Sequence, residues 1–74
     1  MWYYKSKIGI LYIKQRANGR YGLYFEDEYF GNYASPRAAA DNVRSFCTDC
    51  YDWDKHESDP CFPYPTDLSE WDRC

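Results

Sequence analysis

The chain has 74 residues, 45% of them hydrophobic and 22% aromatic, and a net charge of −3. A chain this short supports one domain with a thin core, and its many rings exclude the aromatic-poor composition of a disordered segment. The acidity counts against nonspecific nucleic-acid binding, which depends on neutralising phosphates.

The charge is unevenly placed. Residues 1–46 carry seven cations against Glu26, Asp27, Glu28 and Asp41, a balance of +3. Residues 47–74 carry Lys55 and Arg73 against eight acids, a balance of −6. Such a tail is expected to fold back on the basic half or to meet a basic partner. The nine Tyr suit half-buried sheet faces and interfaces, because the ring is apolar and the hydroxyl wet. The apolar run Ile8–Ile13 is too short for a signal peptide or a membrane span. The expectation is a small bacterial protein in the cytoplasm, with no membrane partner and with cysteines reduced unless they hold metal.

Met1–Lys7 mixes aromatic and basic residues and reads as an irregular arm or a short edge strand. Ile8–Gln15 and Tyr21–Phe25 read as strands joined at Ala17-Asn18-Gly19-Arg20. Asn-Gly supplies the positive φ angles of a two-residue type I′ turn. That loop sets Lys14 opposite Leu23 and Tyr12 opposite Phe25. Ile10, Tyr12, Leu23 and Phe25 then share one face, with Leu11, Ile13 and Tyr24 on the other. Glu26-Asp27-Glu28 is a polar turn, and Glu28–Tyr33 completes a three-stranded antiparallel meander.

Ser35-Pro36 is a helix start: Ser caps orphan amides and Pro has the first helical φ already set. The helix runs from Arg37 to Phe46 through three alanines, with Ala39, Val43 and Phe46 as its apolar stripe. In the tail, Pro60, Pro63 and Pro65 forbid a long helix. Asp67-Leu-Ser-Glu70 fits a capping box opening a short turn that bears Leu68 and Trp71. The expected fold is α+β: the meander packed on one helix within residues 1–46, and an extended acidic, aromatic tail over 47–74 laid against it.

The segment Gly19–Val43, with its Gly19-Arg-Tyr hairpin, Phe30-Gly31-Asn32-Tyr33 strand end and Ser35-Pro-Arg-Ala-Ala-Ala-Asp41 helix, resembles a family of small uncharacterised bacterial proteins. The closing Asp67-Leu-Ser-Glu-Trp71 is similar as well. This resemblance implies the fold and no activity. Phe30-Gly31-Asn32-Tyr33, Ala38-Ala39-Ala40 and Asp41 also resemble the corner and helix of the AP2-type DNA-binding domain, a three-stranded sheet with an Ala-rich helix. The Arg- and Trp-bearing strand face of that domain has no counterpart here, and Glu26, Asp27 and Glu28 stand where phosphates would approach.

Four chemistries have candidate residues. Cys47-Thr-Asp-Cys50 has the spacing that lets two thiolates reach one ion, and Cys61 and Cys74 could complete a zinc site stapling the tail. The pattern lacks a second close pair, and free thiols or a disulfide such as Cys50–Cys61 account for the same residues. His56 could pair with Cys47 or Cys50, but the surrounding acid disfavours a thiolate, so a solvated His and no enzyme are expected. Lys14, Arg16 and Arg20 near the hairpin tip, with Tyr21, could bind nucleic acid weakly. Tyr51, Trp53, Tyr64 and Trp71, among acids, could anchor a protein partner, or could instead close the core over the bare sheet face. The preferred expectation is a nonenzymatic protein-interaction module. A phage-type inhibitor imitating nucleic acid also fits the size and charge.

Overall fold

A computed structural model describes residues 1–73. Five antiparallel strands form one sheet: β1 Trp2–Lys5, β2 Ile10–Gln15, β3 Tyr21–Phe25, β4 Glu28–Tyr33 and β5 Asp72–Arg73. Their spatial order is β4-β3-β2-β1-β5. Helix α1 spans Pro36–Arg44, a single turn α2 spans Tyr51–Asp54, and a 3-10 turn covers Leu68–Glu70. Among the described residues no helix is long and apolar enough to cross a membrane.

The expected meander is present as β2, β3 and β4, but the sheet is larger than three strands. The N-terminal arm is an interior strand, not an edge. Its partners are β2, with Trp2 opposite Ile13, and β5, with Trp2 opposite Arg73 and Tyr3 opposite Asp72. No local pattern announces β5, because its two residues are strand only by virtue of what they pair with.

The hairpin differs from expectation by one residue. Gln15 pairs with Tyr21, Lys14 with Gly22 and Ile13 with Leu23. The Arg16 amide donates to the Arg20 carbonyl at 2.7 Å, and the Gly19 amide donates to the Arg16 carbonyl at 3.0 Å. The loop is therefore Ala17-Asn18-Gly19, a turn followed by Gly19 at φ +82°, the three-residue alternative open to the same Asn-Gly pair. The slip moves Leu23 onto the face of Leu11 and Ile13, and all three are fully buried. It moves Tyr12 opposite Tyr24, on the other face.

A second irregularity lies in β4. Leu23 pairs with Gly31 but Tyr24 pairs with Tyr29, so Phe30 is the extra residue of a bulge. Phe30 packs against the core. Without the bulge, Phe30 would stand opposite Tyr24 and Tyr29 would turn inward.

Helix α1 covers the inner face at β3 and β4. Ser35 caps it as expected, its hydroxyl accepting from the Ala38 amide at 3.1 Å. Ala39, Ala40 and Val43 are buried. The helix stops at Arg44, short of Phe46. The Phe46 amide donates to Val43 O and the Cys47 amide to Asn42 O, the paired bonds of a Schellman ending. Phe46 holds the left-handed position at φ +55°, where Gly is usual. A side chain there costs about 1 kcal/mol.

An aromatic cluster holds Phe46 in that position. Its ring stacks on Trp53 at 5.3 Å and meets Phe62 and Tyr64 edge-on. Trp53 is fully buried, and its indole N–H donates to the Val43 carbonyl at 3.0 Å. Asp54 fixes the loop before α2: its carboxylate accepts from the Thr48 amide, the Thr48 hydroxyl and the Asp49 amide. The tail, expected over the sheet face that the helix leaves bare, does not cover it. It wraps the same inner side as α1 and completes the core with Trp53, Phe62 and Trp71, which share one cluster with Ala39, Ala40 and Val43.

Trp53→Phe removes the indole hydrogen bond and part of the buried ring, and should lower unfolding free energy by about 2–3 kcal/mol. Trp71→Phe should cost clearly less, because the buried Trp71 Nε1 has no partner among the described residues. Urea midpoints of the two variants check this, and equal losses would contradict it.

Candidate functional site: the outer face of the sheet

With helix and tail on the inner side, no helix of the described residues lies over the other face of the sheet, where Tyr3, Tyr12 and Tyr24 are half-buried and Tyr29 is exposed. The register places a row of tyrosines across it: Tyr3 opposite Tyr12, Tyr12 opposite Tyr24, Tyr24 opposite Tyr29. One ring comes from each of four adjacent strands, at a strand spacing of about 4.8 Å. The Tyr24 and Tyr29 rings touch, 5.4 Å between centroids and tilted 55°. Tyr29 is the most open of the row, 42% exposed.

Cations lie over these rings. Lys14 Nζ sits 5.0 Å from the centroids of both Tyr12 and Tyr24. The Arg16 guanidinium lies 4.4 Å above Tyr29 and donates to the Tyr24 hydroxyl at 2.8 Å. Arg20 donates through Nε to Asn32 Oδ1, and Asn32 donates to the Tyr29 hydroxyl at 2.9 Å. Lys14, Arg16 and Arg20 are all exposed. Their guanidinium and ammonium groups face rings and neutral amides and have no carboxylate partner among the described residues. Asp72 flanks Tyr3 at one side, and Glu26, Asp27 and Glu28 occupy the far end of β3 and β4.

Gly22 makes room for this arrangement. It lies on the outer face between Lys14 and Asn32. A Cβ there would come within 3.0 Å of the Tyr24 ring and 3.2 Å of the Arg16 side chain. Its bare backbone lets both lie flat over β3.

The expected protein-anchoring set splits. Trp53 and Trp71 are 0% and 6% exposed, so they fill the core and present no ring to a partner. Burying them covers the inner face that α1 leaves open. Tyr51, 77% exposed, carries the Lys55 ammonium at 5.8 Å from its ring. Tyr64, at 41%, is the outer rim of the Phe46 cluster.

Among the described residues the thiols of the expected metal set do not gather into a site. Cys47 and Cys61 are exposed and free, whereas Cys50 is buried and free. No three His, Cys, Asp or Glu side chains gather as an ion would require among the described residues. Cys74, the fourth member of that set, lies outside them. Burial pushes the Cys50 thiol up, with Asp52 and Asp54 adding to it against two backbone hydrogen bonds that lower it. His56 is not a solvated side chain: its ring stacks on Phe62 at 4.0 Å and 5°, and its Nε2 is buried with no partner among the described residues. A shallow groove of about 360 Å³ between α1 and the 3-10 turn is lined by Arg37, Asp41, Asp67, Leu68 and Ser69. Hydrogen bonds from Ser69 hold the Asp67 carboxyl below its usual range, with Arg37 adding to the effect.

No protein-family model, curated protein or solved structure matches the chain.

Two outcomes follow. Gly22→Ala should displace the Tyr24 ring and Arg16, read as large amide shifts at both residues, with a stability loss of about 1–3 kcal/mol. Unchanged shifts would show that the glycine is not needed there. The Cys50 thiol, raised in the folded state, keeps its proton longer folded than unfolded. Its stabilisation is complete below the unfolded thiol value of about 8.5 and declines as pH rises past it. Urea midpoints should therefore fall above that pH, and Cys50→Ala should flatten the decline at pH values below the tyrosine range.

Proposed function

We propose that this protein is a nonenzymatic binding module whose working surface is the outer face of the sheet, and whose partner is a flexible, anionic chain. The observation that carries the reading is the row Tyr3–Tyr12–Tyr24–Tyr29 overlaid by Lys14 and Arg16 on the face that no helix of the described residues covers. Tyr and Arg are the residues that binding surfaces concentrate. The expected candidates Lys14, Arg16 and Arg20 belong to this surface, joined to rings that lie distant in sequence. The net charge of −3 does not by itself oppose it, because Lys14, Arg16 and Arg20 are exposed without a carboxylate partner among the described residues, and charges beyond about 10 Å are largely screened.

Heparin serves as a generic polyanion probe. At low salt it should shift the amides of outward-facing residues on β1 to β4 and leave α1 and the tail unmoved. The double variant Lys14→Glu, Arg16→Glu should lose this response while keeping its urea midpoint. Shifts centred on α1 or on residues 47–70 would overturn the assignment of the surface.

A further inference from the structure

We infer that the chain this face takes is single-stranded nucleic acid, its bases stacking on the tyrosine row and its phosphates following Lys14, Arg16 and Arg20. The inference rests on the binding reading above and gives that surface a specific occupant. The face offers one ring from each of four adjacent strands. An acidic peptide would engage the cations and have no use for four aligned rings, and a folded protein would need a pocket for its anchors. Every base has a π face, and successive bases stacked on aromatic side chains beside a basic track are how single strands are held without sequence readout. A duplex keeps its bases stacked on one another and offers this row nothing to stack on.

The cations over the rings act as placeholders. Lys14 lies on Tyr12 and Tyr24, and Arg16 on Tyr29, each within cation–π distance. An exposed cation–π contact is weaker than a base stacked on the same ring. An incoming base therefore displaces the cation, and the released ammonium or guanidinium turns to the phosphate that accompanies the base. The unpaired state of these three side chains toward carboxylates leaves them free for this exchange. Glu26, Asp27 and Glu28 adjoin the Tyr24–Tyr29 pair on the side away from the hairpin and repel phosphate there, so the backbone is directed toward the Ala17–Gly19 hairpin end, where Arg16 and Arg20 stand. Bases then lie across the strands from Tyr29 toward Tyr12. Tyr3, beside Asp72, is the least favoured position of the row.

The test uses a fluorescein-labelled oligothymidine about twelve nucleotides long, within the usual single-strand site sizes. Anisotropy should rise on titration at low salt, with a log–log salt slope of about −2 for three phosphate-neutralising cations. Tyr29→Ala and Tyr12→Ala should each weaken binding about five- to hundredfold. Tyr29→Phe should retain it, since the ring and not the hydroxyl does the stacking. Lys14→Gln with Arg16→Gln should flatten the slope by about 1.4. Tyr51→Ala, on an exposed ring outside the row, should change nothing. Urea midpoints of all variants separate lost binding from lost fold. Equal binding by poly-glutamate that Tyr29→Ala leaves intact would overturn base stacking and leave the surface as an acidic-protein site. Preference for duplex over single strand would overturn the inference as well. Absence of any response to oligothymidine while heparin still moves the outer face would overturn the occupant alone. Silence to both probes would overturn the surface and its occupant together.

Discussion

The indole N–H of Trp53 donates to the carbonyl of Val43, at the end of a helix whose last carbonyls have no intrahelical partner. That bond joins the acidic tail to the helix at the point where the chain turns back. Around it Phe46, Phe62 and Tyr64 close a ring cluster, and the cluster holds Phe46 in a backbone conformation that an aromatic residue does not choose alone. Trp53 and Phe62 enter the core beside this anchor, and Trp71 enters it separately, against Tyr4. A core that α1 alone would leave half open is closed on one side only, and no helix of the described residues lies over the opposite face of the sheet.

Much of the architecture was legible in the residues. Ser35-Pro36 and the alanines named α1, because capping and propensity act locally. Glu28–Tyr33 was readable as a strand to its observed ends. The hairpin was readable too, but its register was not: Asn18-Gly19 supports a two-residue and a three-residue loop equally, and the choice depends on which face Leu23 can bury. The bulge at Phe30 is invisible for the same reason, since it is settled by whether Phe30 or Tyr29 packs inward. β1 and β5 stabilise each other over the full length of the chain, a relation that no short window contains. The outer face of the sheet fell in this blind zone. Lys14, Arg16 and Arg20 stood out by charge, but Tyr12, Tyr24 and Tyr29 align only once both the slip and the bulge are in place. An aromatic, acidic stretch around Trp53 and Trp71 looked like a partner surface because composition does not distinguish a ring that anchors a partner from one that completes a core.

Part of the charge pattern is separated in space. The acids of residues 47–70 follow the tail around the inner side, and the cations of the hairpin stay with the outer face. A net charge averages over this separation and hides it. Around Lys14, Arg16 and Arg20, which have no carboxylate partner among the described residues, the local charge is positive although the total is negative.

The edges of the sheet have a consequence of their own. A chain with this many aromatic residues and one sheet face without a helix over it is at risk of adding strands from a second copy, and the risk lies in unpaired backbone. On one side β4 carries the Phe30 bulge and begins on the charged Glu28, so it presents no straight run of amides. On the other, Asp72 and Arg73 cover Trp2 and Tyr3, and the exposed Lys5 ends the stretch they leave uncovered. Two charged residues at the end of the described chain therefore serve as the guard of the N-terminal strand. Loss of that short pairing would expose β1 as a template for self-association while leaving the core of Leu11, Ile13, Leu23 and Trp53 intact.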